Sequence, residues 1–215
     1  PRIMITPRTP LAAIPREPPS GHNPYVYVLG AGGVGTWTAI ALAMSLPHDF
    51  VMYVYDSDVV DGHNLNRLPY ATSGRSKAAC LGELLNGMPV ECTVRLFSRV
   101  MNADTLEAFP GVFVDTTDDP AFASSLFGRS TRPSRRIVRV SAEHDRAMVS
   151  TRPPPEFDSG IGGTGYVSTK AWIVPCMWAA SRAADVVLRF LHTGVWPDVE
   201  EHMKTYCRED REDNP

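Results

Sequence analysis

The chain has 215 residues, 43% of them apolar and 21% charged, a composition that folds and is long enough to bury a core without disulfide or metal staples. Its 21 basic and 24 acidic side chains leave a net charge of −3, which argues against a nucleic-acid binder. No apolar run reaches the roughly 18 residues of a membrane span, and no basic segment precedes an apolar stretch at the start. A cytoplasmic protein without membrane association is therefore expected. The four cysteines, Cys80, Cys92, Cys176 and Cys207, form no C-x-x-C pair, so no structural zinc is expected, and free thiols suit a reducing compartment.

In chain order, residues 1–24 hold seven of the 19 prolines and read as an extended arm. Residues 25–29 (YVYVL) form a short β-prone run, a buried strand. A glycine-rich turn follows, then a predicted helix over 36–46 that ends before Pro47. A second strand is expected at 50–55, closing at Asp56, and then a polar loop over 56–72. The pattern next gives a helix over 73–86 stopped by Gly87, a strand at 90–97, a short helix at 102–109, and a strand at 111–114 ending at Asp115. A helix at 120–127 and a strand at 136–140 complete a βαβαβαβαβ order. That order means an α/β Rossmann-like sheet, mostly parallel, with helices on both faces. Runs at 147–151 and 166–174 read as strands without intervening helices, an antiparallel extension. Residues 175–192 read as a helix with Pro175 at an N1-like position, and 208–215 as a frayed charged tail. The domain division is thus an arm at 1–24, one domain at 25–207 and a tail at 208–215.

The turn is Gly30-x-Gly32-Gly33-x-Gly35, set between a strand and a helix. The first glycine permits the tight turn, the second lets backbone amides approach a phosphate, and the third lets helix and sheet pack closely. Asp56 closes the next strand, where a carboxylate can bind ribose hydroxyls. A second G-x-G-x-x-G at 160–165 follows a proline run and precedes a strand, so it reads as a flexible or gating loop rather than a nucleotide site.

The glycine fingerprint alone suits an NAD(P)-dependent oxidoreductase. What surrounds it does not. After Asp56 come Asp58, Asn64, Arg67 and, ten residues later, Lys77; strand 111–114 runs into Asp115-Thr-Thr-Asp118-Asp119. Hydride transfer has no use for cations beside the crevice. Transfer of a nucleotidyl group does: Asn64, Arg67 and Lys77 can neutralise a triphosphate, and a carboxylate can hold Mg²⁺.

These motifs resemble those of the ThiF/MoeB/HesA family, the adenylating fold shared with ubiquitin-activating enzymes. The resemblance rests on the glycine loop through Thr36, D-S-D-V at 56–59, N-x-x-R at 64–67, Lys77, and T-D-D at 117–119, and covers about residues 25–145. It implies an ATP-dependent adenylyltransferase that activates the C-terminal carboxylate of a small ubiquitin-like or sulfur-carrier protein, with Mg²⁺, in a homodimer. In that scheme Gly30, Gly32, Gly33 and Gly35 cradle the phosphates, Asp56 binds the ribose, and Asn64, Arg67 and Lys77 contact the phosphates. Asp118 holds Mg²⁺, and Asp58 and Asp115 either line the site or orient neighbours. Leu68 stands where the family commonly has Gln, the cysteines do not form the family's zinc-binding pairs, and no appended ubiquitin-fold or rhodanese-like domain is expected. A partner-binding subunit without turnover is the remaining alternative. Arg2, Arg8 and Arg16 on the arm are candidates to reach a partner's ATP. Cys176, at a helix start, is either a packing residue or a thioester carrier.

Overall fold

A computed structural model describes residues 2–5, 24–101, 109–128, 135–153 and 172–205. The described elements are β1 (Arg2–Ile5), β2 (Tyr25–Leu29), α1 (Gly33–Ala43), β3 (Val51–Tyr55), a 3₁₀ turn (Gly62–Asn64), α2 (Lys77–Asn86), β4 (Thr93–Phe97), β5 (Gly111–Asp115), α3 (Pro120–Gly128), β6 (Arg135–Glu143), β7 (Arg146–Ser150), α4 (Ile173–Thr193) and β8 (Glu200–Lys204). Their strands make one sheet in the order β1-β4-β3-β2-β5-β6-β7-β8. The five central strands, β4 to β6, are parallel, and β1, β7 and β8 are antiparallel. This is the expected Rossmann-like architecture.

Period-2 alternation decides which helix covers which face. Val26, Val28, Met52, Val54, Val94, Leu96, Val112 and Val114 point to one side, where they pack with residues of α1, α2 and α4. Tyr27, Leu29, Tyr55 and Phe113 point to the other, against Leu126 of α3. Helix α1 is apolar nearly all round because it lies between the sheet and α4.

Several boundaries differ from the sequence reading, each for a local reason. Helix α1 begins at Gly33, so the glycine loop runs directly into its first turn. Helix α2 begins at Lys77 because Gly74 takes φ +82° and Ser76 caps the helix, its hydroxyl accepting from the Ala79 amide. The arm contributes a strand: β1 pairs with β4 at the sheet edge and sets Arg2 opposite Phe97. The strand expected at 166–174 is corrected at its end, where Ile173 and Val174 open α4, so Pro175 is the third residue of the first turn rather than the first. The strand beside β7 is instead β8, which the sequence did not announce. The 102–108 and 166–171 portions of the expected elements, the 160–165 loop, Arg8, Arg16, Cys207 and the 208–215 tail lie outside the described residues. No described helix is long and apolar enough to cross a membrane.

Candidate active site

The chain leaves β2 toward β3 and β4 on one side, and returns through β5 to β6 on the other. The turning point of the strand order is therefore between β2 and β5. Ligands of open α/β sheets bind outside the carboxyl ends of strands at such a point. Leu29 there is in register with both Tyr55 and Asp115.

Just beyond Leu29 the Gly30 amide donates to Tyr55 O at 2.8 Å, with φ at +102°, a conformation L side chains rarely adopt. The loop then doubles back so closely that a Cβ on Gly35 would lie 2.1 Å from the Gly30 oxygen. A Cβ on Gly33 would lie 2.6 Å from Arg67 Cδ and 2.9 Å from Cys176 Sγ. Gly32 is different: its φ is an ordinary −71°, and nothing lies within 4 Å of where its Cβ would be. Neither strain nor protein packing requires glycine at 32. Its missing side chain leaves space at the uncapped N-terminus of α1, where free amides suit an anion.

Asp56 is buried, and both its oxygens hold backbone: Oδ2 accepts from the Ala31 amide at 2.6 Å and Oδ1 from the Asp58 amide at 2.7 Å. Burial raises its pKa, with Lys77 and these two amides opposing the rise. The carboxylate thus ties the end of β3 to the glycine loop. Lys77, the first residue of α2, donates to Asp58 Oδ2 at 2.8 Å. Asp58 thus holds the lysine and also lines the crevice.

Asn64 accepts from the Asp61 amide through Oδ1 at 3.0 Å and closes the reciprocal cap of the 3₁₀ turn. Its amide oxygen is therefore held by the turn. Arg67, although it lies in the polar loop, is buried and only 8% exposed. Its Nη1 donates to His63 O and Asn66 Oδ1, and its own carbonyl accepts from Trp37 Nε1 at 3.1 Å. These are neutral partners, and no carboxylate among the described residues pairs with the guanidinium.

Across the crevice, Asp115 is fully buried, and burial pushes its carboxyl up to about 6 against the pull of Thr117 and Arg139. Its Oδ1 accepts from the Thr117 amide and hydroxyl. Asp119 caps α3, accepting from the amides of Ala121 and Phe122. Between them Asp118 takes no hydrogen bond from any described residue.

Two adjoining cavities open over this edge. One, about 350 Å³, is part apolar, lined by Leu29, Met101 and Phe122 as well as Asp56. The other, about 610 Å³, is polar and lined by Asn64, Arg67, His63 and Cys176. Gly32, Asp58, Lys77 and Asp118 line both. A part-apolar space with a carboxylate suits a nucleoside, and the shared polar boundary suits its phosphates. Among the described residues no three His, Cys, Asp or Glu side chains converge as a metal site. Cys176 is buried, and desolvation lifts its thiol to about 11 despite Arg67 nearby, which favours the packing role. The sequence reading missed Thr116, Trp37 and Tyr70. Tyr70 reaches the loop through the Thr36 hydroxyl at 2.9 Å, a contact with no signal in spacing.

A sequence model of the ThiF family matches residues 22–139. Among solved structures, E. coli MccB with MccA superposes with a TM-score of 0.67 at 17% identity, over 84% of this chain and 60% of that one. E. coli MccB with ATP gives a TM-score of 0.62 at 15% identity, over 84% and 62%. PaaA gives 0.61 at 15% identity, over 84% and 63%. These likenesses establish the fold, and this chain spans about 60% of the length of the proteins it matches. No curated protein matches the chain by sequence. The match over more than half of the sequence, together with the fold, makes this chain a member of the ThiF family.

Proposed function

We propose that the chain is an ATP-dependent adenylyltransferase acting on a carboxylate. The observation that carries this reading is the pair of adjoining cavities: their shared boundary holds the open space at Gly32, Lys77 and Asp118, which takes no hydrogen bond from any described residue, and Arg67 lines the polar cavity beside it. A substrate carboxylate oxygen attacks the α-phosphorus of ATP. The bond from that phosphorus to the bridging oxygen breaks, and pyrophosphate leaves with the electron pair. Such a step needs positioning and charge stabilisation more than covalent help from the protein. Arg67, Lys77 and the first amides of α1 supply positive charge to the phosphates, and Asp56 holds the loop and faces the nucleoside space. Asn64 supports the loop that carries Arg67.

Asp118 fits a role in holding Mg²⁺ together with phosphate oxygens, since Mg²⁺ commonly binds through one or two carboxylates plus substrate phosphates. Bound there, the ion would neutralise developing phosphate charge. The carboxylate belongs, in this reading, to the C-terminus of a small ubiquitin-like or sulfur-carrier protein. That E. coli MccB has been solved with MccA and with ATP is in keeping with a small partner and a nucleotide at this fold. Residues 25–207 act as one adenylation domain of a cytoplasmic homodimer.

The test has two arms. ATP with Mg²⁺ should raise the Tm while NAD does not. Pyrophosphate should exchange into ATP with a synthetic peptide ending in Gly-Gly, and not with its C-terminal amide. Stabilisation by NAD alone would make the protein an oxidoreductase. ATP binding with no exchange against any carboxylate would make it a partner-binding subunit.

A further inference from the structure

We infer that Thr116 is a positioning residue that locks the glycine loop to the segment bearing Asp118; its catalytic consequence rests on the adenylation reading. Thr116 follows β5 and Gly30 follows β2, so the two residues face each other where the strand order turns. The Thr116 hydroxyl donates to Leu29 O at 2.8 Å and Gly30 O at 3.1 Å. The Thr116 amide donates to Leu29 O at 3.0 Å. One side chain and one amide thus hold the last residue of β2 and the positive-φ glycine after it.

The bridge is crowded on purpose-built backbone. A Cβ on Gly35 would lie 2.5 Å from Thr116 Oγ1, and one on Gly30 would lie 3.0 Å from it. The hydroxyl therefore fills the space left by two glycines. On its far side the chain is equally fixed, because Asp115 Oδ1 accepts from the Thr117 amide at 3.1 Å and the Thr117 hydroxyl at 2.6 Å. Asp119 holds the next anchor at the start of α3. Asp118 sits between anchors on both sides, and Thr116 sets its distance from the phosphate loop. Thr116 lines both cavities along with Gly32 and Asp118.

Only a hydroxyl satisfies this place. A methyl needs about 3.3–3.6 Å from a carbonyl oxygen, so the Val isostere would push the loop away. Ala would leave the Gly30 carbonyl without its donor. Ser would keep the bond.

The experiment compares Thr116→Val, Thr116→Ala and Thr116→Ser in the full chain. Amide hydrogen exchange over residues 30–35 should quicken in the Val and Ala proteins and stay at wild-type rates in Ser. In pyrophosphate exchange with ATP and the Gly-Gly peptide, Val and Ala should lower kcat by about 10–10²-fold, the scale for misplacing reacting groups by up to an ångström. Their KM for ATP should stay within about threefold, and Ser should restore kcat. Wild-type loop exchange in both Val and Ala overturns the lock. A loosened loop with unchanged kcat overturns its catalytic consequence, as does Ser losing activity along with Val. A wild-type protein with no exchange activity counts against adenylation instead, and the hydrogen-exchange pattern alone then decides the lock.

Discussion

Two sets of basic side chains, one at the β8 edge of the sheet and one at the crevice over its middle, are partnered differently. Near β8, Arg152 reaches Asp198 at 2.7 Å and Glu200 at 2.8 Å while 54% exposed, and Arg182 forks onto Glu201 and also meets Asp185. Each cation there is matched by carboxylates in contact with water. At the mouth of the crevice the ratio reverses. Arg67 is buried with only neutral described partners, and Lys77, with its side chain 12% exposed, has the single carboxylate of Asp58. Holding a cation out of water without a matched anion is costly. On the adenylation proposal, this imbalance at a strand-end crevice leaves room for an anion from outside. Surface pairs arise readily from composition, whereas a buried cation beside a cavity is a functional signal.

The sharpest way to break this contrast is to fill the anion's place without touching the protein's packing. Gly32→Val does so, since the backbone there is ordinary and the Cβ points into open space. The variant should fold with a near-normal Tm and lose ATP binding altogether in calorimetry. Unchanged affinity in a folded Gly32→Val protein would mean that no phosphate lies over the N-terminus of α1.

Next in size is removal of the cations themselves. Arg67→Ala and Lys77→Ala should each lower pyrophosphate exchange by about 10²–10³, the scale for losing one charge-stabilising donor. Their stabilities should part company. The Arg67 stem packs over Gly33, so its loss should also lower the Tm, while Lys77→Ala frees the exposed Asp58 and withdraws one charge from buried Asp56, and should lower the Tm less. Near-normal exchange in the Lys77 variant would remove that residue from the site.

The contrast also shows where sequence reading ends. The strand, glycine loop and Asp56 were legible because each needs a particular residue type: β-prone apolar residues, a Cβ-free turn, a carboxylate at a strand end. The burial of Arg67 was not, because a polar loop hides that its stem lies over a glycine 34 positions earlier. Strand β8 escaped notice because Glu200, Glu201, His202 and Lys204 give no apolar alternation; ion pairs and β7 hold it. The start of α4 misled in the other direction, since the β-branched Ile173 and Val174 favour strand locally and packing of the helix against α1 and the sheet wins. Thr116 carries no signal beyond its place before T-D-D.

Asp115 is a fully buried acid in register with the end of β2. The unfolded carboxyl titrates near its usual 3.8 and the buried one near 6. Below about pH 4 both states are protonated. Between about 4 and 6 the folded state keeps a proton that the unfolded state has released, so stability falls as pH rises, then levels off above the folded value. The loss is up to roughly 3 kcal/mol, the product of the shift and about 1.4 kcal/mol per unit. Asp115→Asn removes that slope. Thermal melts of both proteins from pH 4.5 to 7.5 should show the variant gaining on the wild type as pH rises toward 6.5. Parallel curves would mean that Asp115 does not titrate in this range.

The smallest effect belongs to the β8 edge of the sheet. Arg182 joins α4 to β8 through two bonds to Glu201, at 2.8 and 2.5 Å, and one to Asp185 at 2.8 Å. The fork geometry places it at the favourable end of surface pairs. Water still reaches the side chain, and Asp185 retains Arg189 at 3.0 Å when Arg182 is lost. Arg182→Ala should therefore destabilise by only about 1 kcal/mol, a cost that shrinks as salt is raised from 0.05 to about 0.5 M. ATP affinity and pyrophosphate exchange should not change, because the pairs at β8 serve the sheet and not the crevice. A large loss of exchange in this variant, with the fold intact, would show that charge at the β8 edge is coupled to the crevice.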